Sequence, residues 1–233
     1  MRESPHPKDS TEHEAKEFGD ADTGDYMDGG LAEGLRGVGG FRYCLNLRDL
    51  GTSVKMAYPV KTRSEAEALE CLKLFGGDPS AIKRFYCDND QGLVAAAKSL
   101  DILVRNSQPG RHQTNAIAER CNQDILHGAH ACLAAAGLPD CFWTFAAPYY
   151  CLMEDLTYDE EGRRLYEKWA GEDFKAKIIP FGALVEYIPP ETRKEDHSGK
   201  WGARSAPGVF AGYELGEKSR WNKKYLVWNL WDF

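Results

Sequence analysis

No apolar run in this chain approaches the roughly 18 residues that a membrane-spanning helix needs, so none is expected. Residues 1–17 are polar and charged and lack the apolar stretch of a secretory signal. No two of the 7 cysteines are spaced C-x-x-C, and their number is odd. That pattern argues against a disulfide framework or a zinc ribbon, and for reduced thiols inside a cell. An excess of positive charge is missing too: 29 Lys and Arg stand against 36 Asp and Glu, a net charge of −7. The distribution matters more than the total. Residues 1–35 hold 3 basic and 10 acidic residues, which accounts for the whole imbalance, and residues 175–233 carry 10 basic against 7 acidic. An acidic head of this kind reads as a solvated tail, and basic strips downstream of it can still meet phosphates.

What is present is enough apolar residue, 42% of 233, for one large domain with a small appendage. The most informative stretch runs from Arg84 to Arg120. Ile82, Phe85 and Cys87 mark a strand that stops at Asp88-Asn89-Asp90, and Gln91 to Leu100 reads as an Ala-rich helix. Leu103 to Ser107 is a second short strand, broken by Pro109-Gly110, and a long helix is expected over 116–137. Asp88 then sits at the carboxyl end of a strand and Glu119 in the first turns of a helix. Carboxylates in such places can converge on one divalent metal. Asp90, two residues beyond Asp88, is a reserve ligand if the strand continues.

Upstream, Phe18 to Met27 is a weak strand, because Asp is a poor strand former and Asp20, Asp22 and Asp25 crowd it. Spacing alone does not choose among these three. Phe41–Leu50 and Ser53–Lys61 alternate as half-buried strands do. A helix follows over 62–75, with Ser64 as cap, Glu67 three residues on, and Gly76-Gly77 as its end. Downstream, the buried side of the long helix carries Ile117, Cys121, Ile125 and Leu133. An apolar helix with Pro148 inside spans 140–156, Tyr158–Lys177 is a charged, helix-prone linker, and short strands from Ile178 onward suggest a small barrel.

RFYCDN followed by PGRHQTNAIAER resembles the second half of the retroviral-type integrase core, in the form found in copia-type retrotransposons. Asp88, Asn89, Gln113, Asn115, Ala118, Glu119 and Arg120 fall on the matching positions; Ala116 stands where that family prefers Gly. The segment around Leu138-Pro139, Phe142-Trp143 and Ala146 is similar to a later motif. Phe181-Gly182 and Gly208-Val209-Phe210-Ala211-Gly212-Tyr213 resemble those of the family's SH3-like module. The resemblance implies an α/β chain with a ribonuclease H-like mixed five-stranded sheet flanked by helices, followed by a small SH3-like β-barrel. The expected division is an acidic tail over 1–17, a catalytic core over 18–157, a linker over 158–177 and the β module over 178–233.

It also implies a function. Asp25, in Thr23-Gly24-Asp25-Tyr26, is favoured as the first of three metal carboxylates, with Asp88 and Glu119 completing the sites for two Mg²⁺ or Mn²⁺ ions. Asn89, Arg111, His112, Gln113, Asn115 and Arg120 are then the candidate nucleic-acid contacts. The expected partners are DNA, both element ends and target, and further copies of the chain. The expected reaction is phosphodiester transfer inside a cell, in the nucleus where chromosomal DNA is the target, with no membrane. Two other readings stay open: a nucleic-acid-binding relic of the same fold, and a ribonuclease H-like nuclease that cuts but never joins. Each single residue also has a plainer role, Asp88 as an Asx turn and Glu119 as a solvated acid favoured by the helix dipole.

Overall fold

The computed structural model describes residues 15–29, 36–78, 80–106, 112–158, 162–189 and 204–232. A meander comes first: β1 (Asp22–Asp28), β2 (Tyr43–Asp49) and β3 (Lys55–Val60), each antiparallel to the next. Then α1 (Glu65–Gly76), β4 (Arg84–Cys87), α2 (Gln91–Ser99) and β5 (Leu103–Asn106) follow. β4 pairs parallel to β1, and β5 parallel to β4, giving the order β3-β2-β1-β4-β5. The long α3 (His112–Ala136) and α4 (Trp143–Asp155) complete the first unit.

Local chemistry explains these elements. Ser64 caps α1 by accepting the Glu67 N–H, while Glu67 turns back to accept the N–H groups of Lys61 and Thr62 at 2.9 and 2.7 Å. Gly77, at φ +75°, closes the helix by donating to the Lys73 carbonyl. Ala68, Cys71, Leu72 and Phe75 make its buried stripe. On α3 the buried residues Cys121, Ile125, Ala129 and Leu133 recur every fourth position, as one helix face requires. In β1, a Cβ at Gly24 would lie 2.6 Å from Leu47 and 2.7 Å from Phe85. Glycine there leaves room for the full-sized apolar side chains of the two neighbouring strands, Leu47 of β2 and Phe85 of β4.

A second sheet, antiparallel in the order β6 (Leu184–Tyr187), β7 (Ala206–Leu215), β8 (Trp221–Asn229), packs against α4. Tyr149 of α4 meets Phe181 at 5.4 Å and stacks on Tyr213, while Trp228 sets its edge against Phe142 and Phe145. Between the sheets lies α5 (Leu165–Ala170), whose buried Trp169 donates its indole N–H to the Phe75 carbonyl at 3.0 Å. Aromatic packing thus runs across the expected boundaries at residues 157 and 178.

Several boundaries differ from expectation. The first strand begins at Asp22 rather than Phe18, because residues 17–20 form a turn in which Asp20 accepts the N–H groups of Lys16 and Glu17. α3 begins at His112, several residues early. The 140–156 segment opens as a 3-10 turn (Asp140–Phe142) before α4, which contains Pro148. The linker is helical only at α5. Three strands of the β module are described, an arrangement compatible with an SH3-like module; residues 190–203 lie outside the described residues, as do residues 1–14 of the tail.

Asp22 starts β1 opposite Asp49 and is fully buried, and neither of its carboxyl oxygens has a hydrogen-bond partner. Burial, then the charges of Asp49 and Asp20, push its pKa well above the carboxylate range. A raised folded pKa means that its contribution to stability is fully present below the unfolded value of about 3.9, and is lost as pH rises toward the folded value. Asp22→Asn removes that titration. Thermal unfolding of both proteins should therefore show the midpoint difference moving in the variant's favour between pH 4 and pH 7. A difference that is flat with pH would contradict this reading.

Candidate active site

Strand register places the first carboxylate. Gly24 pairs with Cys87 at the end of the parallel β1–β4 ladder. One step further along both strands sets Asp88, just past β4, beside Asp25, which faces Asn46 of β2 on its other side. Asp25 is half-buried and Asp88 exposed. Because strand side chains alternate, Asp25 projects on the opposite face of β1 from Asp22.

That face is covered by α3, and an amide chain fixes the carboxylate. The Asp25 Oδ1 accepts the Tyr26 N–H at 2.8 Å, and its Oδ2 accepts the Asn122 Nδ2 at 3.0 Å. An ionised carboxylate only accepts, so Asn122 must present its NH₂ to Asp25 and its carbonyl elsewhere. The carbonyl accepts the Asn46 Nδ2 at 2.7 Å, and the Asn46 carbonyl in turn accepts the Cys44 thiol at 3.2 Å. Burial is the largest influence on Asp25 and pushes its pKa up. The Tyr26 N–H opposes it, the Asp88 charge adds to it, and Asn122 and Arg63 draw it back.

Glu119 is exposed on α3, three residues before Asn122 and so on the same helix face, one turn toward the N-terminus. Among the described residues, no three His, Cys, Asp or Glu side chains converge into a metal-holding group. The structure brings together Asp25 and Asp88. Their donor chemistry fits a hard divalent cation, which one or two carboxylates can hold while waters and phosphate oxygens fill the other positions. Each Asp25 oxygen accepts one hydrogen bond and keeps lone-pair capacity for such an ion.

The other acids have other work. Asp20 pairs with Lys83 at 2.7 Å. Asp90 does not continue the strand: its Oδ1 caps α2 by accepting the Leu93 N–H at 2.9 Å, and its Oδ2 meets Arg63 at 2.8 Å. Of the candidate nucleic-acid contacts, Asn89 and Arg120 are exposed. Arg111 lies outside the described residues, and so do the side chains of His112, Gln113 and Asn115, whose backbone opens α3. Sequence reasoning missed Asn46, Asn122 and Arg63. Asn46 carried a signal, since Asn is depleted in strand interiors; Asn122 carried one through its spacing from Glu119.

No protein-family profile matches the chain, and no curated protein matches it. Solved structures do. One is the catalytic core domain of BIV integrase, at 11% identity, covering 66% of this chain and 95% of that one with a TM-score of 0.45. Another is a chain from the cryo-EM structure of the simian T-cell lymphotropic virus intasome in complex with PP2A regulatory subunit B56 gamma. It is 14% identical, covers 91% of this chain and 77% of that chain, and has a TM-score of 0.51. At such identities the likeness is one of fold. The likeness to the intasome chain, together with the strand order β3-β2-β1-β4-β5 and the helix positions, gives this chain the integrase-like ribonuclease H fold.

Asn122→Ala removes a donor from Asp25 and strands the Asn46 amide, a loss of about 1–3 kcal/mol. Denaturant unfolding should show it as a lower midpoint at unchanged slope, and NMR titration should show Asp25 holding its proton to higher pH. An unaltered Asp25 titration would show that the amide chain does not govern the carboxylate.

Proposed function

We propose that this chain is a polynucleotidyl transferase of the copia-type integrase class, whose β6–β8 region is the SH3-like module of that class. The observation that carries the reading is the parallel β1–β4 register, which sets Asp25 within β1 beside Asp88 just past the end of β4, with Asn122 of α3 bonded to Asp25 and Glu119 one turn before Asn122 on that helix. Asp25, Asp88 and Glu119 are the residues that would hold Mg²⁺ or Mn²⁺. Bound there, the two ions supply charge neutralisation at phosphorus and an activated oxygen nucleophile.

The chain's own groups do the rest. The Asn46–Asn122 amide chain holds the Asp25 carboxylate in one orientation before substrate arrives, so no reorganisation is needed there. Asn89, next to Asp88, and Arg120, next to Glu119, are exposed and suit contacts to backbone phosphate. Water as nucleophile trims a strand; a DNA 3′-hydroxyl joins two. The intasome likeness supports DNA as substrate and assembly in more than one copy. Action in the nucleus, where the target is chromosomal, is part of the proposal.

With labelled duplex DNA and Mn²⁺, the full chain should give both nicked and joined products. Asp88→Asn and Glu119→Gln should each reduce both to the level of a metal-free control. Cutting without joining would identify a nuclease of the same fold, and activity that survives both substitutions would remove the site from consideration.

A further inference from the structure

The loop between β3 and α1 is fastened to the start of α2. A Cβ at Gly92 would lie 2.3 Å from the Arg63 carbonyl oxygen and 3.1 Å from the Ser64 carbonyl carbon, so only glycine admits this approach of backbone to backbone. From that loop the Arg63 side chain reaches Asp90, with Nη2 2.8 Å from Oδ2. Its guanidinium lies 4.9 Å from the ring centre of Tyr26 and 6.0 Å from that of Tyr43. Tyr26 follows Asp25 in β1, and Asp90 lies two residues after Asp88. Arg63 therefore lies beside the same stretch of β1 and the end of β4, on the Tyr26 face of β1, and its positive charge is felt across the strand at Asp25.

Two features separate it from an ordinary surface arginine. It is held on one side by a well-covered acid and beneath by aromatic rings, so little freedom remains to be lost when an anion arrives. Yet its side chain is 45% exposed, against 14% for that of Asp90. One acid does not exhaust its five N–H donors. Two carboxylates side by side repel a phosphate, and a fixed cation whose charge is felt at Asp25 offsets that repulsion.

We propose that Arg63 is a phosphate clamp: its remaining guanidinium donors bind a non-bridging oxygen of the DNA strand that lies across the Asp25–Asp88 edge. This rests on the function proposed above, which supplies the DNA.

The test is fluorescence anisotropy of a labelled 20-base-pair duplex of arbitrary sequence with the full chain, from 50 to 200 mM salt and without divalent ions. Each phosphate contact contributes about 0.9 to the slope of log affinity against log salt. Arg63→Gln should bind several-fold more weakly at low salt, with a slope shallower by about one, while Arg63→Lys keeps the wild-type slope. Asp90→Asn breaks the ion pair but keeps the charge of Arg63 and a residue able to cap α2, so its slope should also be retained. Arg63→Gln with the wild-type slope, or equal losses in Arg63→Gln and Asp90→Asn, would overturn the clamp and leave DNA binding standing. A wild-type chain with no salt-dependent binding would overturn the clamp and the function together.

Discussion

Two like charges held together are the constraint from which the rest of this molecule follows. The parallel pairing of β1 with β4 carries Asp25 and Asp88 to the same level, and burial raises the free energy of keeping Asp25 ionised. Nothing in folding alone rewards such an arrangement. The fold tolerates it because Asn122 and the Tyr26 N–H supply donors to Asp25, and because Asn46 anchors Asn122 from the middle of β2. Both β1 and β2 thus have a part in placing one carboxylate.

Much of this was legible in the residues. The element order of three strands, helix, strand, helix, strand, helix followed from alternation, helical stripes and Gly or Asp boundaries, and the chain has that order. Asp88 lies at a strand end and Glu119 early in a long helix, as their surroundings indicated. Asp25 could not be separated from Asp20 and Asp22 by pattern, since all three sit in a poor strand sequence. The structure separates them physically: Asp20 is taken by Lys83, Asp22 turns to the other face, and Asp25 faces α3. Asp90 was misplaced because a cap and a continuing strand look alike before the next helix is seen. The Asn46–Asn122 link joins segments 76 residues apart, and no local pattern encodes that distance.

The second sheet bears on the first through packing rather than chemistry. Tyr149, Phe181, Phe210 and Tyr213 join α4 to β7, while Trp169 ties the intervening helix to α1. α4 also lies against α3 and the β3 edge, so the module's aromatic contacts brace the layer that carries Asn122 and Glu119. Asp22 shows the opposite case, a buried acid without partners on the face away from the site. Its burial weakens the fold at neutral pH, and no role for it in the chemistry is visible.

The central claim is that Asp25 and Asp88 jointly hold a divalent cation. Crystals grown with saturating Mn²⁺ and measured at the manganese absorption edge test it most directly. The account predicts an anomalous peak about 2.1 Å from a carboxylate oxygen of each residue. A map at full Mn²⁺ occupancy elsewhere, with no peak between these two side chains, would contradict it.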